Sequence, residues 1–162
     1  MSQTTSPGKC WMLTGAILCG LSVVTGAFAA HGLGPRMEEL YSEVTKEVAG
    51  EKIPGPLKYL GDFKTAAEYQ MTHGLALLAV GLYSRYRRST CMRVAGWSFL
   101  LGTILFSGSL YVLVLTGLTK LGAITPIGGV LFLVGWATFA WAIFTTSSTG
   151  CGLDENDSPR EY

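Results

Sequence analysis

Four long apolar runs decide what this chain can become: residues 11–30, 65–84, 94–119 and 121–144. Three of the four contain no charged residue. An α-helix needs about 20 apolar residues to cross a hydrocarbon core of about 30 Å. A soluble helix of that length keeps a polar face, and these runs have none. The reading is an all-α polytopic membrane protein, with four transmembrane helices in a bundle.

The composition agrees. Hydrophobic residues make up 49% of the chain and charged residues 14%, against roughly 25% charged in soluble proteins. The net charge of +1 gives no electrostatic basis for nucleic-acid binding. The 21 glycines would weaken soluble helices, but in lipid small residues let helix backbones approach closely. Ser22, Gly26 and Ala30 fall at four-residue spacing and read as such a packing face. The same run, with Lys9 before it and Ala27-Phe28-Ala29 near its end, imitates a secretory signal. It is longer than the 7–15 apolar residues of a signal core, so it reads as a retained helix.

The spans are placed at about 10–30, 64–84, 93–116 and 124–145, in one domain covering 1–146. Between the first two, Met37, Leu40, Tyr41, Val44 and Val48 recur at helical spacing among Glu38, Glu39, Glu43, Lys46 and Glu47. This predicts a short amphipathic helix over 36–48 in the first loop. The stretch 50–61, with Pro54-Gly55-Pro56, reads as a loop, and Asp62 as the N-cap of the second span. Pro126 suits the first turn of the last helix. Residues 147–162 are polar and acidic and read as a disordered tail.

Orientation follows the basic residues of short loops. Arg85, Arg87, Arg88 and Arg93 crowd the connector between spans two and three, whereas Arg36, Lys46, Lys52, Lys58 and Lys64 are dispersed over a longer segment. The dense cluster belongs in the cytoplasm. Both termini then also face the cytoplasm, in a multi-pass protein of the cell (inner) membrane.

Ionisable and polar groups within spans are functional candidates. His31 ends the first run. Glu68, Tyr69, Gln70 and His73 fall in the outer half of the second, Ser107, Ser109 and Tyr111 in the outer half of the third, and Thr125 in the fourth. Glu68 lies about one turn below the interface, within reach of Lys64. The plainer reading is interhelical polar glue, worth about 0.6 kcal/mol per contact in membranes. His31, Glu68 and His73 follow no metal-ligand spacing, and Cys10, Cys19, Cys91 and Cys151 form no CxxC pair, so neither a metal nor a cofactor is expected. No catalytic motif is present, and Ser107-Gly108-Ser109 lies mid-helix without a base nearby in sequence. A non-enzymatic role is expected. It is either structural, with a membrane-protein partner or a second copy of the chain, or the binding of a small ligand or lipid. Transport of a small solute or proton is the alternative.

Four stretches carry a resemblance: Gly26-Ala27-Phe28-Ala29-Ala30-His31-Gly32-Leu33, the segment from Tyr69-Gln70-Met71-Thr72-His73 to Leu78, Leu105-Phe106-Ser107-Gly108-Ser109-Leu110-Tyr111, and Leu121 to Gly129 with Gly135-Trp136. Together and in this order they resemble the transmembrane protein 256 family, which includes small bacterial inner-membrane proteins of uncharacterised function. The resemblance implies a four-helix integral membrane protein and no known activity, substrate or cofactor. The segment 47–62 and the acidic tail are longer than the family pattern.

Overall fold

The computed structural model describes residues 7–87 and 89–147. In chain order the elements are α1 (Pro7–His31), α2 (Gly34–Tyr41), β1 (Thr45–Val48), β2 (Glu51–Pro54), α3 (Gly55–Tyr83), α4 (Thr90–Thr103), a π-helical turn (Ile104–Gly108), α5 (Ser109–Thr116), a 3-10 turn (Thr119–Ala123) and α6 (Thr125–Ser147). Arg88, Cys151 and the polar tail beyond residue 147, expected to be disordered, lie outside the described residues.

Among the described residues, three stretches are long and apolar enough to cross a membrane: Gly8–His31, Thr90–Thr116 and Thr119–Thr145. The second is the continuous rod formed by α4, the π turn and α5. Their outward faces are apolar. Leu13 and Val24 of α1, and Leu133 and Phe144 of α6, are each more than 60% exposed. Water would not tolerate so much contiguous apolar surface, and lipid does. At 29 residues α3 is as long as the others, but Lys58, Asp62, Lys64 and Glu68 lower the apolarity of its first half.

Small residues set the packing. α1 and α3 run antiparallel along a seam of Gly8, Gly15 and Ser22 against Gly81, Gly74 and Ala67. A Cβ on Gly15 would lie 2.5 Å from the Gly74 carbonyl oxygen, and one on Gly81 would lie 2.7 Å from that of Gly8. Ser22 Oγ donates to the Ala67 carbonyl at 2.7 Å. The spacing is seven residues, the repeat of a left-handed helix pair. This differs from the four-residue face expected from Ser22, Gly26 and Ala30: Gly26 has open space around it and Ala30 is exposed. A second pair, α4 with α6, follows the same rule. A Cβ on Gly128 would lie 2.9 Å from the Gly102 carbonyl, and one on Gly135 would strike the Phe99 ring.

The first loop departs from expectation. The helix over 36–48 stops at Tyr41, and residues 45–54 form an antiparallel hairpin with Val48 opposite Glu51. The fold is therefore helical with one small two-stranded sheet. Ala49 and Gly50 both take positive φ, 52° and 84°, the signature of the tight hairpin turn that matches strand twist. The apolar spacing misled because only its first half is used. Met37 and Tyr41 are buried, but Val48 is 42% exposed.

α3 also begins nine residues earlier than expected. Pro56 occupies its first turn, where the missing N–H costs nothing. Gly55 is held against the end of α2, its N–H donating to the Val44 carbonyl at 2.6 Å. Asp62 is thus inside the helix, paired with Lys58 one turn back, and does not cap it. α2 and the start of α3 close one end of the bundle. There Leu33, Met37, Tyr41, Tyr59 and Phe63 pack with Leu113 and Val114, and Tyr41 stacks on Tyr59 with ring centroids 4.0 Å apart. At the opposite, arginine-bearing end, Leu77, Val80, Met92, Ala95 and Phe99 fill the interior.

Candidate functional site

The polar residues gather near the middle of the apolar stretches and on the capped side of it. Cys19 and Gly20 are the central pair of Gly8–His31, and Phe132 is the centre of Thr119–Thr145. Gln70 Nε2 donates to the Leu18 carbonyl at 2.9 Å, and His73 stacks on Phe132 with centroids 3.4 Å apart. The span expected to begin at residue 64 would put these groups in its outer half. The earlier start of α3 lowers them to mid-bundle.

Gln70 organises one network. Its side-chain oxygen accepts the Tyr111 phenol at 3.0 Å, and Tyr111 meets Thr25 Oγ1 at 3.0 Å. With the phenol proton committed to Gln70, Thr25 supplies the proton of that second bond, in competition with its 3.1 Å bond to the Ser22 carbonyl. The π turn matters for this contact. Its extra residue rotates the downstream helix by about 100° relative to an uninterrupted α-helix, and Tyr111 lies just beyond it. Ser109 bonds Thr125 across to α6 at 2.9 Å. Ser107, within the π turn, is fully buried and its hydroxyl has no partner among the described residues.

His73 organises the second network. The indole N–H of Trp136 donates to Nε2 at 3.3 Å. An indole is a donor only, so Nε2 carries no proton. Nδ1 therefore does, and donates to the Tyr69 carbonyl one turn back at 2.8 Å. Both ring nitrogens are satisfied, and Phe132 covers one face. Tyr69 stacks in turn on Phe106 at 4.4 Å.

Glu68 stands apart from both networks. It is exposed, and no ion pair to Lys64 or to any other described residue forms. It borders two grooves. One, of about 670 Å³, runs between α3 and α6 and is lined by Glu68, Tyr69, His73, Gly129 and Trp136 among others. The other, of about 460 Å³, lies on the α1 side and includes Ser22, Lys64, Glu68 and Thr72. His31 belongs to neither. It is exposed at the end of α1. Because Gly74 packs at the level of Gly15, His31 lies more than about 20 Å along the bundle from His73 at 1.5 Å per residue. It does not approach His73. Among the described residues, no three His, Cys, Asp or Glu side chains converge on a point that could hold a metal ion.

Thr25, Ser22, Phe132 and Trp136 complete the site; the sequence pointed to Ser22 only as part of a packing face and to Trp136 only within a resemblance motif, and to neither Thr25 nor Phe132 individually. An indole N–H in the middle of an apolar run was the available signal, since such a donor seeks an acceptor.

A family model described as a protein of unknown function, DUF423, matches residues 25–129. This chain belongs to the DUF423 family. The match runs from Thr25 past Thr125 and so takes in both networks except for Leu18, Ser22, Phe132 and Trp136. A UPF0382 membrane protein of Staphylococcus aureus is 42% identical over 136 residues, covering 84% of this chain and 96% of the relative. UPF0382 membrane proteins of Staphylococcus haemolyticus and Staphylococcus saprophyticus are 41% and 42% identical over 79% of the chain and 89% and 91% of the relatives. These DUF423 relatives are named as membrane proteins, in agreement with the apolar stretches of the fold. The likeness to transmembrane protein 256 stays a resemblance; the family shown is DUF423. No solved structure matches the chain.

Proposed function

We propose that this DUF423 protein is a non-enzymatic, four-span protein of the cell membrane, with both termini in the cytoplasm, that binds a membrane-resident small molecule in the groove between α3 and α6. α3 serves as the fourth span, its charged residues Lys58, Asp62 and Lys64 lying toward the cap. One contrast carries the binding reading. Gln70, Tyr111, Thr25, His73, Trp136, Ser109 and Thr125 bond one another and act as interhelical glue. Glu68 does not, and it borders an open groove whose size fits a small ligand. A carboxylate near mid-membrane is costly without a partner, and a structural role alone gives no reason to keep one there. Transport is disfavoured because, among the described residues, Leu77, Val80, Met92 and Phe99 fill the interior of the arginine-bearing half of the bundle.

Gly129 supplies the test. It lines the groove, and a Cβ added there meets nothing within 4 Å, so Gly129→Trp can project its ring into the groove. Purification in native lipid followed by native mass spectrometry should find a reproducible small molecule on the parent protein and none on the variant. Identical spectra for the two would remove the groove reading, and a stoichiometric protein partner retained by both would put the structural role in its place.

A further inference from the structure

We propose that the α3–α6 groove takes a lipophilic organic cation, with Glu68 as its counter-charge and the rings of Tyr69 and Trp136 as its walls. This rests on the groove-binding reading above and names the chemistry of the occupant.

Charge is the first argument. The Glu68 carboxylate forms no ion pair among the described residues, and the groove between α3 and α6 is lined by no basic side chain except the fully hydrogen-bonded His73. Lys64, one turn nearer the cap, lines only the neighbouring groove, and its long side chain can extend toward the polar boundary. A carboxylate in an apolar setting is stabilised most by an opposite charge brought close, since attraction grows as the dielectric falls.

Depth is the second argument. The Gln70 bond to Leu18 and the Cys19 contact with the Met71 carbonyl pin residues 70–71 of α3 to the centre of the α1 stretch. Glu68 lies two residues away, about 3 Å along the axis. The polar headgroup of a phospholipid sits at the edge of a hydrocarbon core about 30 Å thick, about 12 Å or more from Glu68. A zwitterionic lipid therefore lays only its acyl chains beside Glu68. A compact cation whose charge is shielded by apolar substituents can enter the hydrocarbon and reach it.

The walls are the third argument. Tyr69 and Trp136 are 42% and 43% exposed, large fractions for rings within a bundle. Phe106 backs the Tyr69 ring, and the Trp136 indole is anchored by its bond to His73, so both rings are held in place. Aromatic faces attract organic cations, most strongly when the pair is desolvated. A carboxylate beside two fixed aromatic rings is the chemistry that recognises a substituted ammonium or phosphonium.

The test uses the full chain in lipid nanodiscs, with tetraphenylphosphonium as the probe and triphenylphosphine oxide as an uncharged counterpart, measured by equilibrium dialysis. The cation should bind saturably and the uncharged compound at least tenfold more weakly. Glu68→Gln should weaken cation binding at least tenfold and Tyr69→Leu severalfold, while Lys64→Gln leaves it unchanged or tighter. Glu68 is exposed, so its variant keeps the fold, which circular dichroism checks. Absence of saturable cation binding overturns the proposal, and so does binding that is indifferent to Glu68→Gln. If the uncharged compound binds as tightly and is lost in Gly129→Trp, the cation proposal fails while the groove reading stands. If the native spectra also ignore Gly129→Trp, both fail.

Discussion

The Tyr111 phenol donates to the Gln70 side-chain oxygen at 3.0 Å, and the Gln70 amide nitrogen donates onward to the Leu18 carbonyl at 2.9 Å. One amide thus ties α5, α3 and α1 together at mid-bundle. Neither donor has water to turn to in the hydrocarbon, but the unfolded chain in a membrane also finds partners, so such bonds average about 0.6 kcal/mol and reach about 1.7. Tyr111→Phe and Gln70→Leu should each destabilise the protein. A double-mutant cycle should give a coupling between about 0.6 and 1.7 kcal/mol, measured by unfolding in mixed micelles. Strict additivity would mean that the pair contributes nothing.

The glycine seam makes a sharper contrast, because the same substitution should have opposite signs at two places on α1. A methyl group on Gly15 would lie 2.5 Å from the Gly74 carbonyl, whereas one on Gly20 meets nothing within 4 Å. Gly15→Ala should therefore cost about 1–3 kcal/mol through forced separation of α1 and α3. Gly20→Ala should be neutral or stabilise by about 0.4–1 kcal/mol by restricting the unfolded chain. Thermal melts in detergent compare them directly.

How much of this was legible in the sequence depends on which physical signal each element rests on. Apolar length betrays α1, the α4–α5 rod and α6, because nothing but lipid accommodates such runs. The start of α3 was hidden, since Pro54-Gly55-Pro56 reads equally well as a loop and as a helix entrance. Only the close approach of Gly55 to Val44 decides between them. That one ambiguity displaced Glu68 from mid-bundle to the interface and Gln70 and His73 to an outer half. The packing face of α1 was misjudged for a related reason. Four-residue spacing and seven-residue spacing both pass through Ser22, and which of them forms the seam depends on the partner, where Ala67, Gly74 and Gly81 repeat every seven. The residue types of the polar networks were visible, as in Gln70, His73 and Tyr111. Their division into separate sets was not, because it is made by Trp136, Phe132 and Thr25 on other helices.

The hairpin turn carries a removable strain. Ala49 adopts φ 52°, a left-handed conformation that costs an alanine roughly 1 kcal/mol. Asparagine tolerates it far better, and Asn-Gly is the favoured pair for this turn. Ala49→Asn should stabilise the hairpin by about 0.5–1 kcal/mol. The helices would not report it, so the measurement is hydrogen exchange at the strand amides flanking the turn, which should slow severalfold. Unchanged or faster exchange would show that the turn has another geometry.

Alkaline pH should loosen the cap through Tyr41. Burial pushes its phenol above the ordinary value of 10.0, and the adjacent Tyr59 adds to the shift. The folded protein thus holds this proton more tightly than the unfolded chain does. The corresponding stability is fully present below about pH 10 and is lost as pH rises through the folded-state value. Tyr41 also donates to the Val114 carbonyl at 2.9 Å in the last turn of α5. Tyr41→Phe should accordingly cost about 1 kcal/mol at neutral pH and flatten the alkaline loss, as read from melting temperatures between pH 7 and 11. An alkaline slope unchanged by the substitution would assign the effect to another group.

Orientation in the membrane is the remaining prediction, and two exposed positions at opposite ends of the bundle decide it. Ser42 follows α2 in the cap, whereas Tyr86, 81% exposed, lies in the arginine connector. By the density of its arginines the connector is expected in the cytoplasm, and the cap then outside. In a background with the native cysteines replaced, Ser42→Cys should react with a membrane-impermeant maleimide in intact cells, and Tyr86→Cys only after the membrane is broken. Had α3 failed to cross, the cap and the connector would share one side and both positions would behave alike. The reverse pattern would keep four spans but invert them, so the two labels test the span count and the charge rule separately.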